Sequence, residues 1–366
     1  MTDTAAPQVP PFCPNPLCRF HRGATTSWRW VRDGCFTRRH PPHRIQRFRC
    51  RHCRRHFSQQ TFRTSYWLKR PELLERTFHG LVGGSAFRQI AREFGCSPQT
   101  IATHAARLAR HCLLFHQRLR PRGPLTEPGV LDTFVSFEFS QYHPTGFHLL
   151  AGQHSHFFHG FTDSELRRSG TMTARQKRRR ARLEQQLGRP DPRSTEHEVA
   201  ELLAIVLAGS HTVELHSDQH ADYPRALRHL GQRRFTHRTT SSRAARTTRN
   251  PLFPINLLDL LIRHSSANHR RETIAFSKRR QGAAERLWVL LAWRNYVKSF
   301  SERKRDATPA MRLGVCEKRW QVGELLRERL FPGRVALPAR WERYYWRQVV
   351  TRRIPRGVVH RRVYAM

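Results

Sequence analysis

TVELHSDQHADYP, residues 212–224, is the stretch that decides the fold of this chain. Thr212, Val213 and Leu215 are spaced like a short buried strand. Asp218 follows on a loop, and Tyr223-Pro224 starts a new element. An acidic residue at a strand end is scarce material here, because the chain has 67 Lys+Arg against 27 Asp+Glu. A carboxylate can hold a divalent cation against a phosphate, which no basic group can do. The alternative is that Asp218 only caps the helix that follows.

The wider composition gives that carboxylate its context. The 366 residues carry a formal net charge of +40, yet 38% are hydrophobic and 10% aromatic, enough to fold. That length allows two or three domains. So large a positive excess opposes a compact state by self-repulsion unless a polyanion shares the surface, and nucleic acid is the obvious one. No apolar run reaches transmembrane length, and residues 1–11 lack the apolar centre of a signal peptide. The expected location is the cytoplasm, in association with the nucleoid. The eight cysteines are then expected to be reduced, and the paired ones read as metal ligands before disulfides.

Upstream of the 212–224 stretch, Thr195-Glu-His-Glu198 has the form of a capping box, followed by a helix through Leu202, Ile205 and Val206. Before it, residues 162–193 read as a basic helical insertion, with six of the eight residues from Arg175 to Arg182 basic; it is either a solvated face or a helix that tracks phosphates. Further upstream, GVLDTFVSFEFS (129–140) alternates: Leu131, Thr133, Val135, Phe137 and Phe139 on one face, Asp132, Phe134, Ser136 and Glu138 on the other. FHLLAG (147–152) and HFFHGF (156–161) add two strands, completing an antiparallel meander. Asp132 and Glu138 lie about 20 Å apart at strand spacing, so they cannot hold one metal together. Asp132, flanked by Val130, Leu131 and Phe134 in a run that reads as buried, is the candidate ligand, because a carboxylate there is costly unless a metal or a cation neutralises it; the alternative is an edge-facing Asp. Downstream come a helix from Pro224 to Leu230, a strand from Arg234 to His237, and the polar basic stretch TTSSRAARTTRN. Three strands, a helix, a parallel strand and an acidic loop make an α/β fold with a mixed sheet flanked by helices, in the order of an RNase H-like sheet.

The N-terminal half has its own signals. Cys13 and Cys18, and Cys50 and Cys53, are two knuckles about thirty residues apart, spaced to place four thiolates around one structural Zn²⁺. Residues 12–60 therefore read as a zinc ribbon, with His21, His43, His52 and His56 as substitute ligands; Cys35, Cys96, Cys112 and Cys316 are isolated. Residues 71–116 contain FRQIAREFGCSPQTIATHAARLARH, in which Gly95 permits a turn, Ser97 can cap and Pro98 opens a second helix. This helix-turn-helix pattern would show Gln99, Thr100, Thr103, His104 and Arg107 to a DNA groove, unless it is an ordinary helical hairpin. Residues 117–128, with three prolines, read as a linker.

The string RRETIAFSKR, residues 270–279, resembles the C-terminal signature of bacterial insertion-sequence transposases of the insertion-sequence-1 type. The QRFRCRHC knuckle and the helix-turn-helix resemble the DNA-binding half of those proteins, and ATPAMRLGV (307–315) resembles an ending common in transposases. The resemblance covers residues 12–315. It implies an RNase H-like catalytic domain over 129–300 of the DDE type, with three acidic residues that bind Mg²⁺ or Mn²⁺ and cut and join DNA strands. Asp132 and Asp218 match the first two positions. The family's glutamate falls on Asn256, a departure; Asp259, three residues on, shares its helical face, and Glu272 and Glu285 are further candidates. Arg270, Arg271, Lys278 and Arg279 would clamp phosphates. The implied partners are the element's terminal inverted repeats and target DNA, bound by a homo-oligomer, with no membrane. If no third acid reaches the site, the same resemblance implies a transposase-derived DNA-binding protein or regulator that cannot cut; an RNA-processing nuclease would leave the helix-turn-helix unexplained. The helix 281–300, with Leu287, Trp288 and Leu291, is expected to cover the sheet. Residues 301–366 read as a basic tail whose Trp341, Tyr344, Tyr345 and Trp346 either pack on the core or stack on DNA.

Overall fold

A computed structural model describes residues 9–23, 26–39, 41–231 and 233–361. Residues 1–8 of the N-terminal stretch and 362–366 of the C-terminal one lie outside the described residues. The first unit is a small antiparallel sheet in the order β1-β2-β3, formed by Trp30–Thr37 (β1), Arg44–Cys50 (β2) and His56–Ser58 (β3). Its core is four cysteines' worth of sulfur and a few rings: Trp28, Phe48 and Phe57 are buried, and Phe48 stacks on Phe57 at 5.6 Å. So small an apolar cluster does not hold a fold by area alone.

Three helices follow: Leu73–Val82 (α1), Phe87–Glu93 (α2) and Pro98–Leu119 (α3). Gly95 takes φ +55° at the turn between α2 and α3, where a side chain is disfavoured. Ser97 Oγ accepts from the Gln99 N–H at 3.2 Å and Pro98 opens α3, the cap that the sequence suggests. The helix does not stop with the turn motif. It runs 22 residues, ending three residues into what reads as linker, and its second half is buried with Leu108, Cys112 and Phe115 in the same hydrophobic cluster as the central sheet. Residues 71–116 are therefore not a separate body. The apolar stripe is masked in the sequence because His111 and His116 occupy buried positions, each hydrogen-bonded to a distant carbonyl: Leu325 at 2.8 Å and His159 at 2.9 Å.

The central sheet has the order β6-β5-β4-β7-β8. Gly129–Phe137 (β4), Pro144–Gly152 (β5) and Phe158–Glu165 (β6) form the antiparallel meander. Because β6 continues to Glu165, the basic insertion starts after it rather than at 162; its helix is Ala174–Leu187 (α4), with no buried residue. Ser194–Val206 (α5) then leads to Thr212–Ser217 (β7), Asp222–Arg228 (α6) and Arg234–Thr239 (β8), with β7 parallel to both β4 and β8. The expected capping box at Thr195 is absent: α5 begins at Ser194, and Glu198 pairs instead with Arg340 at 3.0 Å. Phe253–Ser265 (α7) and Arg280–Ala292 (α8) follow, and α8 continues as a π-helical turn, Trp293–Val297. Alternation along β4 divides the layers. Val130 and Phe134 face α3, α7 and α8, while Leu131 faces α5 and α6.

Residues beyond 300 are not a tail. Pro309–Arg312 (α9), Val322–Arg327 (α10) and Ala339–Tyr345 (α11) fold back, and Trp341 and Tyr345 are fully buried. Trp341 Nε1 donates to the Phe161 carbonyl at 3.1 Å, and its ring fills the space a side chain would take at Gly160, which sits at φ +147°. Asp163, buried in β6, is held between Arg340 at 2.9 Å and Arg280 at 3.0 Å. Of the two readings of the aromatic segment, packing on the core is the one the structure shows for Trp341, Tyr344 and Tyr345. The helix α8 covers the sheet as expected, with Trp288 against Phe161 at 4.6 Å.

Candidate functional site

Asp132 lies on β4, next to β7. The parallel ladder pairs Gly129 with Leu215 and Val130 with His216. Two residues further along both strands stand Asp132 and Asp218, where β7 ends and the strands, about 4.8 Å apart in the ladder, begin to part. Asp218 does not cap α6. Its Oδ1 accepts from the His220 N–H at 2.9 Å, a local turn that shapes the loop, and α6 begins only at Asp222. Asp259 comes from α7, which crosses β4 and β5 on the Asp132 face.

The electrostatics tie the three carboxylates together. Burial pushes the Asp132 carboxyl up, and the Asp218 charge pushes it further, against hydrogen bonds from the Thr133 N–H and Tyr223. Asp259 is pushed up to about 8, first by burial and then by the Asp132 charge, with Arg263 and Arg246 opposing. Its Oδ1 is buried with no hydrogen-bond partner. A buried, unpartnered carboxylate oxygen beside a like charge is costly unless a cation neutralises it. Among the described residues, two groups bring three or more ligand atoms within 4.8 Å of one another: the four cysteines, and Glu196 with His197 and His229. The three aspartates do not form such a group.

Two of the competing acids are occupied elsewhere. Glu138 is buried at the far end of β4, accepting from the Arg280 N–H at 2.8 Å and Thr351 Oγ1 at 2.7 Å. Glu285 accepts from Arg347 Nε at 2.7 Å and Gln281 Nε2 at 3.1 Å. Glu272 is exposed on the loop after α7. Asn256 lies half-buried on α7, three residues before Asp259.

Sequence reasoning missed several neighbours. Tyr223 places its hydroxyl 3.1 Å from Thr133 Oγ1 and 3.4 Å from Asp132 Oδ1. Thr133 Oγ1 is in turn 2.9 Å from Nδ1 of the buried His148. Arg246, on the exposed TTSSRAARTTRN stretch, lowers both Asp132 and Asp259. Arg263, one turn after Asp259, lies over the Phe134 ring at 4.5 Å. Only the spacing of Arg263 from Asp259 was visible as a signal.

The candidate DNA contacts divide. Gln99 and Thr103 are exposed and Thr100 half-buried at the start of α3. His104 and Arg107 are corrected: both are buried, and Arg107 donates to the Thr64 carbonyl at 2.8 Å and to that of Tyr66. The chain entering α1 covers that face of α3. Arg270, Arg271 and Lys278 are exposed, while Arg279 is half-buried and donates to the Ile354 carbonyl at 2.8 Å. Arg88 and Arg92 on α2, and Arg175, Lys177, Arg178 and Arg182 on α4, are exposed as well.

Cys13, Cys18, Cys50 and Cys53 form a group that could hold a structural zinc, with the Cys13 and Cys53 sulfurs 3.6 Å apart. Burial drives the Cys13 thiol far above the usual range. Burial also raises Cys50, but the Cys53 N–H, the Trp28 indole N–H at 3.2 Å and the His52 N–H outweigh it and bring Cys50 to about 7. None of the substitute histidines belongs to the group: His43, His52 and His56 are exposed, and His21 turns its Nδ1 to the Cys13 carbonyl at 2.8 Å. No protein-family model matches the chain, and no curated protein is significantly similar to it.

Proposed function

We propose that this chain is a DNA transposase of an insertion sequence, with an RNase H-like DDE-type catalytic domain, a zinc ribbon and a helix-turn-helix. The observation that carries the reading is the gathering of Asp132, Asp218 and Asp259 around the end of the β4–β7 pair, in a chain with a net charge of +40. The sheet order, a three-stranded meander with two parallel strands added beside its first strand, supports the RNase H-like assignment. Two Mg²⁺ or Mn²⁺ ions bound there would supply activation of a water or 3′-hydroxyl and stabilisation of the leaving oxygen. Asp132, whose charge couples to both others, would hold the ions together with Asp218 and Asp259. Tyr223 would orient Asp132 through its hydroxyl. Arg246 would meet the scissile strand's phosphate, a role its exposure beside the carboxylates supports. The exposed cations of α2, α4 and the 270–278 loop would grip the duplex through its phosphates. A strand-transfer assay on the element's flanking inverted repeats tests this: Mg²⁺-dependent product with wild type, and none with Asp218→Ala or Asp259→Ala. Retention of DNA binding with no divalent-dependent product in wild type would favour a DNA-binding protein that does not cut.

A further inference from the structure

We propose that Glu196, His197 and His229 form a second zinc-class site, separate from the cysteine group and from the aspartates. One ligand atom from each lies within 4.8 Å of the others. Glu196 sits in the first turn of α5 and is buried, with its Oε1 2.6 Å from Nε2 of His229, the residue that ends α6. The His197 and His229 rings are 5.8 Å apart. These helices pack on the Leu131 face of the sheet, whereas α7 and Asp259 lie on the other, so the two candidate metal positions do not share a ligand.

The donor set selects the metal. Two imidazoles and one carboxylate suit zinc and its transition-metal neighbours; Mg²⁺ and Ca²⁺ want oxygen. His197 also has a carboxylate neighbour of the kind that orients ligating histidines: its Nδ1 lies 3.5 Å from Asp191 Oδ2. Around a tetrahedral zinc, adjacent ligand atoms stand roughly 3.3 Å apart, so Glu196 and His229 separate by less than about 1 Å and His197 closes in. Arg193 donates to both Glu196 carboxylate oxygens, at 2.8 and 3.3 Å, and its side chain, 59% exposed, has solvent to swing into when a doubly charged ion takes its place. Metal at this position would clip the start of α5 to the end of α6.

The test uses the full chain. Zinc content of the purified, gel-filtered protein is expected to be two per chain, falling to one in His229→Gln and in His197→Gln, each with unchanged far-ultraviolet circular dichroism. Cobalt substitution separates the sites: the cysteine site gives a thiolate charge-transfer band, lost in Cys50→Ser, and the second gives only weak visible bands, lost in His229→Gln. Asp191→Asn is expected to weaken the second zinc about 10-fold or more. One zinc per chain in wild type, or a second zinc retained in both histidine variants, overturns the proposal.

Discussion

Asp259→Asn is the most informative substitution, because it is expected to stabilise the metal-free protein while abolishing its response to divalent ions. In the metal-free fold the Asp259 carboxyl titrates near 8, against 3.8 for the unperturbed group. An acid whose folded pKa is raised weakens the fold once the unfolded chain ionises. The penalty is absent below 3.8, grows as pH rises, and levels off near 8. At pH 7, before any allowance for solvent, the penalty is about 4 kcal/mol, at about 1.4 kcal/mol per pH unit. Solvent reaches part of the half-buried side chain, so about 2 kcal/mol is the figure expected in practice. A neutral amide of the same shape removes it. Urea unfolding of wild type and Asp259→Asn at pH 6 and pH 8, without divalent ions, should show the variant more stable, with the gap widening at pH 8. Saturating Mg²⁺ should then reverse the order, since an ion at about 100 times its Kd adds about 2.7 kcal/mol to wild type alone. Equal midpoints for both proteins at both pH values, with equal Mg²⁺ responses, would refute the coupling of Asp259 to Asp132.

Other expectations follow from single features. Chelation of zinc, or Cys50→Ser, should unfold residues 12–60, read as loss of amide protection there, because the aromatic cluster under those cysteines is small. Trp341→Ala should cost about 3–5 kcal/mol, and Gly160→Ala should also destabilise through overlap with the same ring. His111, held neutral by burial at about 4, and His116 and His148, held at about 3, protonate in the unfolded chain first. Stability is therefore complete above 6.5 and falls as pH drops below it, by about 1 kcal/mol per histidine by pH 5.5, measurable by urea midpoints. Arg178→Glu with Arg182→Glu on α4 should weaken binding to any duplex and reduce the slope of log affinity against log salt by about 2.

The parts of the molecule visible in the sequence are those set by short-range spacing. Cysteine pairs announce a ligand group, and the alternation of β4 places Asp132 among apolar neighbours. The end of an apolar run places Asp218 on a loop, and a three-residue helical offset carries attention from Asn256 to Asp259. What was hidden depends on contacts between distant segments. Arg107 matches a groove-facing position by its spacing, yet the carbonyls of Thr64 and Tyr66 bury it. The burial of the second half of α3 was obscured by His111 and His116, polar residues whose partners lie some two hundred and some forty positions away. Trp341 could be assigned to the core only by knowing that Gly160 leaves room for its ring. Tyr223 reached Asp132 across the strand ends, a proximity no periodicity encodes.

The most direct test of the central claim is whether Asp132, Asp218 and Asp259 jointly hold a pair of divalent ions. Electron paramagnetic resonance of the zinc-loaded full chain with Mn²⁺ and a DNA duplex reports this without needing turnover. The expected result is a spin-coupled Mn²⁺ pair in wild type, absent in each of Asp132→Ala, Asp218→Ala and Asp259→Ala and retained in Glu138→Gln. A wild-type spectrum of isolated Mn²⁺ only, or coupling that survives Asp132→Ala, would contradict it.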